Sequence, residues 1–392
     1  MRWCEWRFAP LPLLLIIAVL FFEGLWWGVF GGLKLWGDYF NSLLGLGPLL
    51  GLKSDLANPF LHRLSLSNIC LVLGSFSAAL CSRNFKIQRA PMQEYVPGAI
   101  GGILMGLGAT LAGGCTVGGF LTPLILFSPV GWTMAMGLFI GSFLGLKLLV
   151  WVSGNVTWGT RPVSVAANSL RNRGVDPLLG LLVFTAILAW ASSWYFGDDL
   201  KTAKRAIVIV AGFALGFSLN RSRFCFAKVF MQPFLLCDSS AVKSMVLLLG
   251  LGMAVGAMLI QANRIDPLLA IPATFYLGSL CGGVIFGVGM MLGGGCASSS
   301  LWKLGEGHTK FWIVVPFFAW SGSLFMALAN RWGLNSTQMN MNLLEVSKLG
   351  SQAYLPDAVG SWSIALLLNF TLLAMLYYFV RYSESSKRFT VL

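Results

Sequence analysis

The sequence predicts an all-α, polytopic membrane protein, and three observations carry that prediction. Hydrophobic residue types make up 57% of the 392 residues and charged types only 10%, whereas a soluble domain carries about 25% charged residues. The mean hydropathy is +0.77. The apolar residues form long unbroken runs instead of the alternation that is typical of a membrane β-barrel. This composition excludes a soluble enzyme, a disordered chain and a nucleic-acid-binding module.

Ten apolar runs are long enough, or nearly so, to cross a bilayer, which needs about 20 residues. They lie at 9–32, 66–82, 97–114, 132–153, 177–196, 203–220, 241–262, 271–293, 310–330 and 359–380. Two shorter runs, at 118–128 and 224–237, predict re-entrant half-helices. Such broken backbone is tolerated at membrane depth only where protein or a cavity surrounds it.

The net charge of +13 follows from 27 Lys and Arg against 14 Asp and Glu. The basic residues cluster between the apolar runs, as the positive-inside rule requires, and attraction of an anionic substrate is a second contribution. The same rule places both termini in the cytoplasm, with the protein in the inner (plasma) membrane. The first apolar run is interpreted as an uncleaved helix, because no small-residue cleavage pattern follows it.

Two segments of the chain resemble each other at a constant offset of 181 residues. GGILMGLGATLAGGC (101–115) and GGVIFGVGMMLGGGC (282–296) are identical at eight of fifteen positions. The charge pattern predicts that they cross the membrane in opposite directions, so that 1–175 and 176–392 form two inverted repeats, each with one extra terminal helix. Inverted repeats place a substrate site near the midplane at broken helices. This organisation favours a transporter or channel over a membrane enzyme.

Both repeats end in Gly-Gly-Cys, and this ending supplies the first candidate site residues, Cys115 and Cys296. Glycine runs break a helix and allow unusual backbone angles, so each cysteine is expected at a helix break. The glycines concerned are Gly113, Gly114, Gly294 and Gly295. The alternative is that each cysteine is a small buried hydrophobe without a functional role.

A third cysteine, Cys225, follows Arg223 in the sequence RSRFC at a predicted membrane boundary. A thiol is a weak S–H donor and a polarizable weak acceptor, so several thiols in line suit the passage of a soft, sulfur-bearing anion. The alternative is a basic membrane anchor followed by a core cysteine. Glu306, in KLGEGH, is a candidate to brace its loop through a cation, or else an ordinary surface residue.

Other chemistry finds little support in the sequence. No CxxC pair occurs among the eight cysteines, and there are only two histidines, which argues against a metal site, haem or a disulfide framework. No GxxxxGK[ST] motif is present, so a gradient, or trapping by a cytoplasmic partner, would have to drive transport. We therefore expect no cofactor, no metal, no nucleic-acid partner and no enzymatic activity.

Together, RSRFC, AGGC and GGGC resemble the cysteine motifs of the YeeE/YedE family of sulfur-compound transporters, over roughly 66–150 and 207–330. The resemblance implies import of thiosulfate or a related anion through a relay of thiol hydrogen-bond donors, one from each motif. Those thiols would belong to Cys225, Cys296 and Cys115. The family's Gly-Glu-Gly corresponds to residues 305–307. A cytoplasmic sulfurtransferase of the TusA type is a common companion in this family and is an expected partner.

Three features depart from the thiosulfate importers. The arginine-cysteine motif opens the second half instead of leading the chain, Ser222 replaces a glycine, and Ala297–Ser300 is rich in hydroxyl groups. The order and length resemble the YedE branch, which is often linked to selenium metabolism. Three alternatives therefore stay open. They are a selenium-compound permease, a membrane thiol–disulfide electron carrier in which two of the cysteines form a disulfide, and a channel whose cysteines are only structural.

Overall fold

A computed structural model describes residues 10–52, 56–155, 175–196, 200–235, 240–339 and 345–386. Nine helical segments in this part of the chain are long and apolar enough to cross a membrane, which confirms the polytopic all-α prediction. The α-helices are α1 (Pro10–Phe22), α2 (Phe30–Leu43), α3 (Gly47–Leu50), α4 (Arg63–Cys81), α5 (Met92–Leu111), α6 (Thr122–Ile125), α7 (Pro129–Asn155), α8 (Val175–Tyr195), α9 (Leu200–Ser222), α10 (Phe226–Leu235), α11 (Ser240–Gln261), α12 (Leu277–Gly293), α13 (Ala297–Glu306), α14 (Phe311–Arg331), α15 (Leu355–Val359) and α16 (Trp362–Ser386).

The first apolar run, 9–32, is not one helix, and that expectation was wrong. Helix α1 ends at Phe22, Gly24 adopts a φ of 67°, and α2 begins only at Phe30. Thirteen residues of helix rise about 20 Å, which is too short to cross a bilayer unaided. The non-helical connection is nevertheless apolar and buried, with Leu25 and Trp27 only 5% and 2% exposed. A helix break can therefore occur within an unbroken apolar run of the sequence.

Three of the long spans are interrupted helices. The first joins α5 through a π-helix, Thr116–Leu121, to α6; the second joins α9 to α10; the third joins α12 to α13. The short apolar runs predicted as half-helices correspond to the π-helix with α6 and to α10. The half-helix α13 was missed, because its serines and lysine made residues 297–306 resemble a loop.

The two similar segments pack against each other at the centre of the molecule, with α5 antiparallel to α12. A Cβ added to Gly101 would lie 2.7 Å from the Gly289 oxygen, and one added to Gly108 would lie 2.7 Å from the Gly282 oxygen. Real Cβ atoms do not approach backbone so closely, so only glycine permits this contact. The repeat offset of 181 residues relates Gly101 to Gly282 and Gly108 to Gly289. Each contact therefore joins a glycine of one repeat to the equivalent of the other glycine in the second repeat.

Each of these central helices also runs alongside a helix from the other end of the chain. Gly102 faces Val314 and Phe318 of α14, and the equivalent Gly283 faces Met134 and the stretch after it in α7. Both of these neighbouring pairs are parallel. The division of the chain into 1–175 and 176–392 stays a prediction; its boundary directly follows residues 156–174, which lie outside the described residues, as do both termini.

The connection after α14 covers the end of the bundle where α12 begins. It contains a small antiparallel sheet, in the order β1 (Gln338–Met339), β2 (Glu345–Ser347) and β3 (Gly350–Ser351). The Gly278 N–H at the start of α12 donates to the Leu349 carbonyl, and the Leu355 N–H donates to the Phe127 carbonyl. This segment therefore closes one end of the central helix pair.

Candidate functional site

All three candidate cysteines follow a helix break of the same design. A residue in the left-handed region lies two positions before each cysteine: Gly113 at φ 72°, Arg223 at φ 56° and Gly294 at φ 78°. The chain then resumes as a short helix directly after the cysteine. Two of the breaks are the expected glycine turns. The third uses an arginine, for which this conformation costs energy.

The structure brings Cys225 and Cys296 together. Their thiols lie close enough to interact with each other, and both side chains are buried, at 2% and 0% exposure. The Cys296 Sγ also lies 3.4 Å from the Ser298 hydroxyl. The hydroxyls of Ser299 and Ser300 donate to the Cys296 carbonyl, at 3.0 and 2.9 Å. Part of the hydroxyl-rich sequence after GGGC thus satisfies the backbone at the break.

Cys115 is fully buried at the other end of the α5–α12 pair. The contacts between the two helices extend from Gly101 to Ala112, which corresponds to about 16 Å of helix rise. The break that contains Cys115 follows one end of this stretch, and the break that contains Cys296 follows the other. Next to Cys115, the Thr116 hydroxyl is buried without a hydrogen-bond partner in the described structure.

Aromatic rings connect the short helices that follow Cys115 and Cys225. Phe120 and Phe230 each lie five residues after their cysteine, and their ring centroids are 5.6 Å apart in an edge-to-face arrangement. Phe230 makes a second such contact with Phe139, at 4.9 Å. The two phenylalanines that join the breaks are almost fully buried, at 3% and 1% exposure. Apolar packing therefore lies between the two half-helices.

The second glycine of each motif also lies in close contact with the residues that follow it. A Cβ on Gly114 would lie 2.7 Å from the Gly119 nitrogen, and one on Gly295 would lie 2.7 Å from the Ser299 hydroxyl. These glycines let the chain turn tightly into the helix that follows the cysteine.

Glu306 lies at the end of α13 and not in a surface loop. Its carboxylate is 2% exposed and contacts the Arg223 guanidinium at 2.5 Å and the His308 imidazole at 3.5 Å. The Arg223 guanidinium also lies 5.7 Å from the centre of the Trp302 ring. This ion pair links the break before Cys225 to the half-helix after Cys296.

Sequence reasoning missed two lysines near this thiol pair. The Lys303 ammonium donates to the Gly294 carbonyl at 2.8 Å, and Lys310 pairs with Glu94 at 3.3 Å. Burial lowers the pKa of Lys310, and the carboxylate of Glu94 opposes that shift. The sequence feature that could have identified both lysines is their distance from GGGC, which is less than fifteen residues.

Within the described residues, no group of three His, Cys, Asp or Glu side chains is placed to hold a metal ion. The six cysteines described are free thiols, and Cys4 and Cys237 lie outside the described residues. The expectations of no cofactor and no metal stay predictions.

The sequence matches a family model described as "Sulphur transport" over residues 3–144 and 221–391. A relative in Escherichia coli K12, named "Probable transporter YedE", is 27% identical over 331 residues, which cover 80% of this chain and 79% of the relative. "Thiosulfate transporter TsuA" of Spirochaeta thermophila is 31% identical over 163 residues, covering 41% of this chain and 48% of the relative. "Thiosulfate transporter TsuA" of Escherichia coli K12 is 31% identical over 129 residues, which cover 33% of this chain and 36% of the relative.

Proposed function

The chain belongs to this sulphur transport family, and we propose that it carries a small sulfur-containing anion, thiosulfate or a related species, along a path lined by Cys115, Cys225 and Cys296. The protein is a multi-pass membrane protein. The proposal includes import across the inner membrane, two inverted repeats and cytoplasmic termini. A TusA-like sulfurtransferase would receive the imported sulfur in the cytoplasm.

The observation that carries the proposal is the contact between the Cys225 and Cys296 thiols at two helix breaks. Each thiol offers one weak S–H donor and a polarizable sulfur, which match the soft terminal sulfur of thiosulfate. Conduction needs binding that is favourable enough to admit an ion and weak enough to release it. Two thiols side by side meet both conditions better than one strong hydrogen-bond donor would.

The test is uptake of labelled thiosulfate into cells that lack other importers. We expect uptake by the wild type and its collapse in Cys115→Ala, Cys225→Ala and Cys296→Ala at matched membrane expression. The control is Cys81→Ala, because that thiol is exposed at the end of α4 and no path role is assigned to it. Undiminished uptake in all three variants would mean that the cysteines only pack and that the protein is an ordinary permease.

Uptake of labelled selenium oxyanions into the same cells tests the alternative of a selenium-compound permease.

The thiol contact also favours a second candidate, a membrane thiol–disulfide electron carrier. Such a carrier would cycle Cys225 and Cys296 between two thiols and a disulfide as electrons pass. Trapping free thiols with an alkylating reagent during turnover separates the candidates. An anion path keeps both thiols reduced while substrate moves, whereas an electron carrier accumulates a fraction that resists alkylation until reductant is added.

A further inference from the structure

Lys303 lies on the half-helix that begins after Cys296, close to both members of the thiol pair. Its ammonium donates to the carbonyl of Gly294, two residues before Cys296, at 2.8 Å. It also lies 4.9 Å from the centre of the Phe311 ring. The side chain is partly open to solvent instead of fully enclosed. An ion could therefore reach this ammonium.

Two of the neighbouring cations are already matched with carboxylates. Arg223 pairs with Glu306, and Lys310 pairs with Glu94. In the part of the chain that the structure describes, Lys303 forms no ion pair, and its hydrogen bond goes to a neutral carbonyl. No carboxylate among the described residues therefore neutralises its positive charge.

An independent observation concerns the residue before Lys303. The indole of Trp302 is 3% exposed, and its Nε1–H has no hydrogen-bond partner in the described structure. A buried donor that lacks an acceptor destabilises the structure. The Lys303 ammonium and the Arg223 guanidinium lie 5.8 and 5.7 Å from the centre of the Trp302 ring. Two cations therefore lie close to an indole ring whose buried N–H has no acceptor.

We propose that Lys303 and the indole N–H of Trp302 bind the anionic oxygens of the substrate while the thiols of Cys225 and Cys296 hold its soft sulfur. This inference rests on the proposed function and adds the group that recognises charge. Neutral thiols compensate little of the charge of a dianion, whereas an ammonium makes a short, charge-assisted hydrogen bond to an oxyanion. The site thus selects ions that carry a terminal sulfur and anionic oxygens together.

The test compares four variants of the full chain in proteoliposomes, with thiosulfate uptake as the readout. Lys303→Gln should raise KM about tenfold with little change in Vmax, because binding of charge is lost. Lys303→Arg keeps a charged donor and should restore KM to within about threefold. Trp302→Phe keeps the ring without the N–H and should raise KM a few-fold. Lys243→Gln is the control, because Lys243 is an exposed partner of Glu384 on other helices.

Thermal stabilisation of the purified protein by thiosulfate gives a second readout that does not depend on transport. We expect the stabilisation in the wild type and Lys303→Arg and its loss in Lys303→Gln, with equal melting temperatures when no anion is present. Stabilisation that persists in Lys303→Gln, or its absence from the wild type, overturns the oxyanion site. Normal uptake in the cysteine variants with a raised KM in Lys303→Gln would instead refute the thiol path and leave the oxyanion site standing.

Discussion

Arg223 and Glu306 form an ion pair, with Nη1 and Oε2 2.5 Å apart, between residues separated by 83 positions in the chain. The pair ties the break before Cys225 to the end of the half-helix that begins after Cys296. It therefore holds together the two segments that supply the thiol pair. The carboxylate is buried and the guanidinium is partly exposed.

Replacing Glu306 with Gln should destabilise the protein and separate the two thiols. The buried position would keep a polar group but lose its charge, which leaves Arg223 without its carboxylate. We expect a loss of roughly 1–3 kcal/mol, the range for a buried hydrogen-bonding group that loses its charged partner. Thermal unfolding of the purified protein measures it. Glu384→Gln is a matched control, since its pair with Lys243 is exposed on both sides, and an equal loss there would contradict the prediction.

The contact between Cys225 and Cys296 predicts that an oxidant can join them. In a variant that keeps only these two cysteines, a mild chemical oxidant should remove two electrons and two protons and leave a disulfide. Mass spectrometry after alkylation under denaturing conditions counts the remaining thiols. A variant that keeps only Cys115 and Cys296 should retain both thiols within one molecule, because these residues lie at opposite ends of the α5–α12 pair. The arrangement of the site would be wrong if the two variants behaved alike.

Gly289→Ala should be destabilising although the change adds only one methyl group. The new Cβ would lie 2.7 Å from the Met105 nitrogen and 2.8 Å from the Gly101 oxygen, so α5 and α12 would have to move apart. Overpacking of this kind costs about 1–3 kcal/mol. Gly154→Ala, inside α7 with open space around the new Cβ, serves as the control. Melting temperatures of the two variants give the comparison, and similar values would argue against close packing at Gly289.

His62 predicts a pH dependence of stability at the start of α4. Its Nδ1 accepts a hydrogen bond from the Ser65 N–H at 3.4 Å, which only the unprotonated ring can do. Burial, and then Arg63 and Lys34, lower the pKa of His62 below its usual 6.5. The unfolded chain thus binds the proton more readily than the folded one. The stabilisation is complete above pH 6.5 and is lost as the pH falls through the lowered pKa.

His62→Asn keeps a capping side chain but does not titrate in this range. The variant should therefore lose the part of the pH dependence that appears below pH 6.5, while its stability at pH 8 changes little. Melting temperatures of both proteins between pH 4.5 and pH 8 make the measurement. Parallel pH profiles for the two proteins would show that His62 is not the responsible group.

Much of the fold could be predicted because apolar length and charge placement are one-dimensional properties. The sequence locates most long helices to within a few residues, for example 177–196 against Val175–Tyr195. The prediction from sequence fails at 9–32, because the buried connection there is as apolar as the helices on either side of it. It also fails at Ala297–Glu306, where polar residues face protein instead of water.

The candidate site was predictable in its residues but not in their arrangement. A glycine pair before a cysteine indicates a helix break wherever it occurs, so Cys115 and Cys296 could be singled out. Their arrangement depends on how separate helices pack. This packing places Cys225 beside Cys296 and leaves Cys115 at the other end of the helix pair. Lys303 was passed over because a lysine near a membrane boundary is usually an anchor.

The packing of the central helices affects the order in which the protein can fold during synthesis. The ribosome completes α5 before either of the helices that it contacts most closely, α12 and α14, has been made. Until then, the backbone at Gly101, Gly102 and Gly108 lacks the helices against which it packs in the finished protein. The packing of α5 is therefore completed only when these two helices of the second half have been inserted.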